Sequence, residues 1–373
     1  MKKVIAVNTR ILVSGKLEGI GNFTAEIFKR LVEWHPDYEF HFIFNYPFDP
    51  SFKYGENVIT HVIPPPAKHP ILVKIWYNFS LKRLLKKIEP DVFISPDAIT
   101  SLTTNVKMLT VMHDLGFVHR PQDLPKTWSK FYNKYSKRFA EKSKRIATVS
   151  EYSKKDICET YGIPNEKIDV VYNGIKNSFY PANQEEIQRL TQGQLYFFYI
   201  GSLHPRKNIL NLVKGFEAFK TQTKNEIKLV LGGDFLFRSE EIKKLVNSLT
   251  CKKDIILTGR LSDKDLNTWL SGAIALTYIP YFEGFGIPLI EAMKCETPIL
   301  TSNITSLPEV GAEAAIYVDP YSIPEITKGM IRIAEEPDLR AILIKKGKER
   351  LKDFSWDKSA KLLWESIQKT IHS

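Results

Sequence analysis

The segment Glu283-Gly-Phe-Gly-Ile-Pro-Leu-Ile-Glu291 sets two carboxylates around a Gly-x-Gly turn. It follows an apolar run, Ile274–Tyr278, and its exit Ile279-Pro280-Tyr281-Phe282. Gly284 and Gly286 admit backbone conformations and close approaches that other residues forbid. Pro288 suits the first turn of a helix running on through Ala292. A strand, a glycine-rich loop and a helix N-terminus together aim backbone N–H groups at an anion, which makes a phosphate cradle. Glu283 is expected in the loop and Glu291 in the first helical turn, both accepting from hydroxyls of one small polar ligand. The alternative is a plain strand-to-helix turn with a dipole-favoured glutamate at its start; two glutamates around a Gly-x-Gly loop favour the cradle over it.

A second cluster is Gly201-Ser-Leu-His-Pro-Arg-Lys-Asn208, directly after the run Tyr196–Ile200. Arg206 and Lys207 are expected at the start of the next helix, where the dipole disfavours cations. Their retention there points to a bound anion, gripped by the arginine fork and the lysine point charge. His113-Asp114 follows Met108–Met112, at the carboxyl end of a parallel strand, where a side chain is well placed to touch a ligand; a structural histidine is the alternative there. Glu18-Gly-Ile-Gly-Asn-Phe23 imitates a dinucleotide fingerprint, but it stands well beyond the first strand and Thr24 replaces the third glycine. It is expected as a flexible loop bordering a cleft. Asp263-Lys-Asp265 has a metal-binding look, yet Ser262 as N-cap with acids in the first turn accounts for it, so no metal is expected.

These residues need positioning, and the chain supplies strands for it. The expected strands are Val4–Val7, Phe40–Phe44, Asn57–Val62, Val92–Ser95, Met108–Met112, Ile146–Val149 and Ile168–Tyr172, then Tyr196–Ile200, Ile227–Leu231, Ile255–Thr258, Ile274–Tyr278, Ile299–Thr301 and Ile316–Val318. Many are unbroken apolar runs, as in parallel sheets covered on both faces. Helical patterns alternate with them, among them Phe23–Val32, Lys207–Lys220, Ser239–Asn247 and Pro324–Ala334. Tyr172-Asn-Gly174 and the polar stretch Asn177–Gln194 separate the two series and read as a linker. The expected architecture is α/β, two Rossmann-like domains whose parallel sheets face a central cleft.

A chain of 373 residues exceeds one ordinary core. With 43% apolar and 25% charged residues it reads as globular, and its apolar runs are too short to span a bilayer. Val4–Val7 after Met1-Lys2-Lys3 reads as a first strand rather than a signal segment. Cys158, Cys251 and Cys295 are few and scattered, which fits a reducing cytoplasm. The net charge of +11 concentrates between Pro70 and Arg145. In Ile71–Lys87 aromatics come early and basics late; Trp128, Phe131, Tyr132 and Tyr135 interleave with Lys130, Lys134, Lys137 and Arg138. That pattern suits peripheral docking on an anionic inner membrane face, or solvated lysine-rich helices. No helix-turn-helix, zinc or RNA-sheet motif accompanies the charge, so no nucleic-acid partner is expected.

Taken together these segments resemble the retaining family-4 (group 1) glycosyltransferases of the GT-B fold. Besides those above, the likeness rests on Thr148-Val-Ser-Glu-Tyr-Ser153, Val171-Tyr-Asn-Gly-Ile175, Thr301-Ser-Asn303, Ser306-Leu-Pro-Glu309 and Phe354-Ser-Trp356. It implies an acceptor-side domain over 1–175, completed by a terminal helix at 354–373, and a nucleotide-sugar domain over 176–353. It implies Glu291 on the donor ribose, and Glu283 on the transferred sugar with Phe285, Gly286 and Ile287 alongside. Lys207 and Arg206 would bind the pyrophosphate, His113 the transferred sugar, and Gly19 and Gly21 the donor phosphates. Arg260 and Leu261 would lie against the base. Ser202 stands where many members carry arginine, and Arg206 is expected to compensate. The donor is then a nucleotide diphosphate sugar with no further cofactor, GDP-mannose first, and the acceptor a glycan or a lipid-linked glycan of a surface polysaccharide. A nucleotide-sugar epimerase of similar fold is the alternative enzyme.

Overall fold

The computed structural model describes residues 2–15, 17–234 and 240–373. Met1 and Ser239, from which the N-terminal stretch and one helix were read, lie outside them. The chain divides into two compact units, one of residues up to Gly174 with Ser355–Ser373, the other Ile175–Phe354.

In the first unit seven parallel strands take the order β3-β2-β1-β4-β5-β6-β7. They are β1 (Val4–Asn8), β2 (Glu39–Phe44), β3 (Val58–Val62), β4 (Val92–Ser95), β5 (Met108–Val111), β6 (Arg145–Thr148) and β7 (Ile168–Val170). Phe40, Phe42, Ile43 and Phe44 are all fully buried, so β2 does not alternate: helices cover both faces of the sheet. The helix Trp356–Ile371 belongs to this unit. Trp364 stacks on His35 at 3.5 Å, Arg30 Nε donates to Asp357 at 2.6 Å, and Ser366 Oγ donates to Asp169 at 2.7 Å.

The second unit orders six parallel strands as β10-β9-β8-β11-β12-β13. They are β8 (Tyr196–Ile200), β9 (Lys228–Gly232), β10 (Ile255–Gly259), β11 (Ala275–Tyr278), β12 (Ile299–Ser302) and β13 (Ala315–Val318). In each sheet the strand order reverses at one place, between β1 and β4 and between β8 and β11. The crevice outside the carboxyl ends of those strands is where such folds hold ligands.

Four expectations change. Glu18–Phe23 is not a loop: Gly19 opens the helix Gly19–Trp34, because Phe23, Ile27, Phe28 and Leu31 bury one face and carry the two glycines into it. The polar stretch read as linker contains a helix, Gln184–Thr191, capped by Asn183. It is tied to the second unit, Tyr180 N donating to Asn267 Oδ1 at 2.8 Å and Ala182 N to Ser271 Oγ at 3.0 Å. Arg206 and Lys207 lie in a separate 3₁₀ turn, Pro205–Lys207, ahead of the helix Ile209–Thr223. Last, Phe131 is buried with Trp76 and Tyr77, and Trp128, Tyr132 and Tyr135 pack against that cluster. The side chains left outside are Ile71, Ile75 and Phe79, which are 62%, 40% and 70% exposed.

Candidate active site

The strand ends of the second unit form a glycine floor. Gly201 after β8, Gly233 after β9 and Gly259 closing β10 all have positive φ, at 140°, 131° and 67°. Gly201 N donates to Gly232 O at 3.1 Å and Gly233 N to Gly259 O at 2.8 Å. A Cβ on Gly233 would stand 2.0 Å from Gly201 O, a backbone atom that cannot rotate away. Around Gly259 nothing lies within 4 Å. Gly233→Ala is therefore expected to cost about 3 kcal/mol or more, from overpacking added to strain. Gly259→Ala should cost only the left-handed strain of roughly 1–2 kcal/mol. Denaturant titration of both variants checks the order; equal losses would refute the close approach. The Gly232-Gly233 pair at the end of β9 is a sequence signal that the motif reading passed over.

Above this floor, Asn208 sits at φ 60° between the 3₁₀ turn and the following helix. Its Nδ2 donates to Ile279 O at 3.0 Å and Pro320 O at 2.8 Å, which bolts the turn to the exit of β11. Lys207 Nζ donates to Glu283 Oε1 and to the Tyr278 hydroxyl, both at 2.5 Å. Arg206 Nη1 donates to Phe282 O at 2.8 Å and Glu283 Oε1 at 3.1 Å. Burial works to raise the Glu283 carboxyl, but Lys207 and Arg206 outweigh it and hold it below the ordinary range. Two cations on one carboxylate leave the cluster at +1. Glu283 thus holds both cations, a partner that the sequence reading did not name. Tyr278 completes the cluster and was not singled out, although it ends a run that was. Ser202 lends its carbonyl, which accepts from the Tyr199 hydroxyl at 3.0 Å.

Ser306 Oγ donates to the carbonyls of Glu283 and Phe285, each at 3.0 Å, and so shapes the glycine loop. Gly286, at φ 101°, turns the chain into the helix Ile287–Lys294, whose start no side chain caps. A Cβ on Gly286 would stand 2.6 Å from Leu307 Cδ2. Glu291 falls just past the first turn rather than in it. It is partly buried, and its carboxylate has no hydrogen bond or ion pair among the described residues. Burial pushes it up to about 7, with Asp263 adding to the rise and Lys176 opposing it. Arg260 is exposed, and Leu261 lies over Gly232. Ser262 Oγ accepts from Asp265 N at 3.1 Å and donates to Asp265 Oδ2 at 2.8 Å, which is a helix cap.

His113, Gly19 and Gly21 belong to the first unit. His113 Nε2 donates to Pro96 O at 2.9 Å, and the ring meets Phe23 edge-on at 5.0 Å. Burial lowers its pKa, so the ring is neutral at physiological pH. Gly19 has open space around it, and Glu18 makes no side-chain cap, so this long helix begins with uncapped N–H groups and two glycines.

Two doubly wound parallel sheets in one chain, each with polar residues at its switch point, define the GT-B class of fold. The same fold is seen in Anabaena Alr3699/HepE, solved in complex with UDP-glucose, at a TM-score of 0.76 and 17% identity over 98% of this chain and 99% of that one. Family models described as "Glycosyltransferase Family 4" and "Glycosyl transferases group 1" match residues 17–179 and 182–350, together most of the chain, which belongs to these glycosyltransferases. It is 28% identical to O-antigen chain mannosyltransferase B of Escherichia coli over 67% of each chain. It is 29% identical to O-antigen chain mannosyltransferase RfbU of Salmonella typhimurium over 71% of this chain and 72% of that one. None of these relatives is an epimerase.

Proposed function

We propose that this glycosyltransferase moves a hexose, mannose first, from a nucleotide diphosphate sugar to a glycan or lipid-linked acceptor of a surface polysaccharide. Glu291 carries the donor reading: a partly buried carboxylate without a hydrogen-bond or ion-pair partner among the described residues, beside a glycine cradle and a +1 cluster. A ribose diol supplies the two donors such a carboxylate lacks. Lys207 and Arg206 receive the pyrophosphate, and Glu283 the hydroxyls of the transferred sugar near Phe285, Gly286 and Ile287. The base lies against Arg260 and Leu261, with Ser202 at the floor. In the first unit, the helix start at Gly19 and Gly21 suits a phosphate, and neutral His113 a sugar hydroxyl. Mannose is favoured by the two relatives named as mannosyltransferases. Calorimetry with GDP, UDP and ADP decides the base; no binding of any of them refutes the donor site.

Transfer with retention follows a front-face course. The acceptor oxygen bonds to the anomeric carbon as the bond from that carbon to the phosphate oxygen breaks, and the acceptor proton passes to the leaving phosphate. Positioning, and cations that stabilise the developing diphosphate charge, supply the catalysis. Arg206 and Lys207 make a metal unnecessary, and the aspartates after Ser262 serve as a cap. Transfer is expected to persist in excess chelator; abolition reversed by manganese would overturn this. NMR of the product's anomeric configuration tests retention.

The cytoplasmic enzyme docks peripherally on an anionic inner membrane face, and no described helix is long and apolar enough to cross one. Ile71, Ile75 and Phe79 form the apolar contact, flanked by exposed Lys82, Arg83, Lys86 and Lys87. At about 1 kcal/mol per basic residue, replacing those four with Ser should weaken binding to anionic liposomes by up to about a thousandfold at low salt. Equal recovery on neutral and anionic liposomes would sink the idea.

A further inference from the structure

Three buried tyrosines lie on β8 and β11, the strands that flank the second unit's switch point, and one of them differs in its partners. The Tyr196 and Tyr199 hydroxyls, on β8, donate to backbone carbonyls, of Trp269 at 2.7 Å and of Ser202 at 3.0 Å. Tyr278 closes β11, is 1% exposed and stacks on Tyr199 at 6.0 Å. Its hydroxyl lies between charged groups instead: it accepts from Lys207 Nζ at 2.5 Å and hydrogen-bonds Glu283. An ammonium has no lone pair, so the phenol must accept from Lys207, and its own proton is left for the carboxylate. Burial, with Glu283 and Tyr199 adding to it, keeps that proton on the phenol far above the ordinary range.

Glu283 is 9% exposed. Facing its carboxylate are Lys207 and Arg206 from the 3₁₀ turn, Tyr278 from β11 and Tyr199 from β8. Both cations hold the same oxygen, Oε1. A diphosphate bound by Lys207 and Arg206 competes with Glu283 for them and adds negative charge beside it. A buried carboxylate that loses its cations takes up a proton. One of its oxygens then becomes a donor, and the charged acceptor for sugar hydroxyls is gone. Tyr278 is a donor of another kind. It is neutral and fixed in the sheet, so the diphosphate does not draw it away.

We infer that Tyr278 is a positioning residue for transfer: its hydroxyl keeps hold of Glu283 when the diphosphate draws Lys207 and Arg206 away, and so preserves that carboxylate as a charged acceptor for the sugar. This rests on the donor-site reading above and adds to it a residue that the reading left without a role.

Titration calorimetry of the full chain with GDP, UDP or ADP, whichever wild type binds, tests it. Run in buffers of different ionisation enthalpy across pH 5–8, it counts the protons taken up per nucleotide. Tyr278→Phe removes only the hydroxyl and should take up more than wild type, by about half a proton at the maximum. The extra uptake should vanish when Glu283→Gln is added to Tyr278→Phe. Wild type and Glu283→Gln alone should match, because Glu283 stays ionised in wild type; this arm stands even where Tyr278→Phe does not fold. A tyrosine that merely packs would lower the melting temperature on substitution and leave proton uptake unchanged. Wild-type uptake in Tyr278→Phe, or a wild type that exceeds Glu283→Gln by about half a proton, would each overturn the inference. Wild type binding none of the nucleotides would strike the donor reading first, and this inference with it.

Discussion

Glu291→Gln is expected to stabilise the ligand-free protein at pH 8 and, in the same stroke, to cripple nucleotide binding. The carboxyl stands at about 7 in the folded chain against an ordinary 4.5. Below 4.5 both folded and unfolded chains hold the proton and nothing is lost. Between 4.5 and 7 the unfolded chain releases it while the folded chain retains it, so stability falls as pH rises, and above 7 the loss is complete. Its size is on the order of 3 kcal/mol. Glutamine does not titrate. The variant should therefore melt roughly 6–12 °C above wild type at pH 8, with the gap closing toward pH 5. Binding moves the other way. An ionised carboxylate accepting from ribose hydroxyls contributes about 1.5–3 kcal/mol, so nucleoside diphosphate affinity should drop roughly 10- to 150-fold. Wild-type affinity should also decline below pH 7, with no such inflection in the variant. Scanning calorimetry and titration calorimetry across pH 5–8 test both halves. A variant that is no more stable at pH 8 and binds as wild type does would remove Glu291 from the site.

For Glu283→Gln, affinity and rate should separate. Lys207 and Arg206 hold this carboxylate ionised, so the substitution moves the cluster from +1 to +2. A nucleoside diphosphate should then bind severalfold tighter, because its phosphates no longer compete with a carboxylate for the cations. Turnover should nevertheless fall by about 10²–10³, the usual loss when a charged group aimed at the reacting centre is removed. Tighter product binding without faster transfer is what uniform binding yields. Stability has its own sign. A depressed carboxyl lends stability above its ordinary range and loses it as pH falls through the folded value, so the variant should be less acid-sensitive than wild type. Donor turnover and product affinity, measured together, decide the matter. Turnover within threefold of wild type would refute the role given to Glu283.

The strands were legible because each is an unbroken apolar run, and a parallel sheet covered on both faces demands that. The glycine loop was legible for a related reason: Gly286 at φ 101° leaves little choice of residue, so the backbone writes itself into the sequence. Gly19 and Gly21 misled because glycine is a poor helix former, and the burial that overrides propensity in Gly19–Trp34 comes from the sheet beneath. Trp128, Phe131 and Tyr135 misled as well. An aromatic beside a lysine reads alike whether it meets a membrane or, as here, packs against Trp76 from a distant segment.

By itself, then, the sequence determined the two parallel α/β units, the cradle at Glu283–Glu291 and the family likeness, all of which depend on residues near one another in the chain. Tertiary structure alone decided who partners whom. It placed Glu283 under both cations, left Glu291 without a partner among the described residues and up at about 7, set Arg10 on Asp97, and turned Ile71, Ile75 and Phe79 outward. Pairing, burial and the protonation they govern are properties of distance in space, and a parallel sheet brings together strand ends that lie tens of residues apart along the chain.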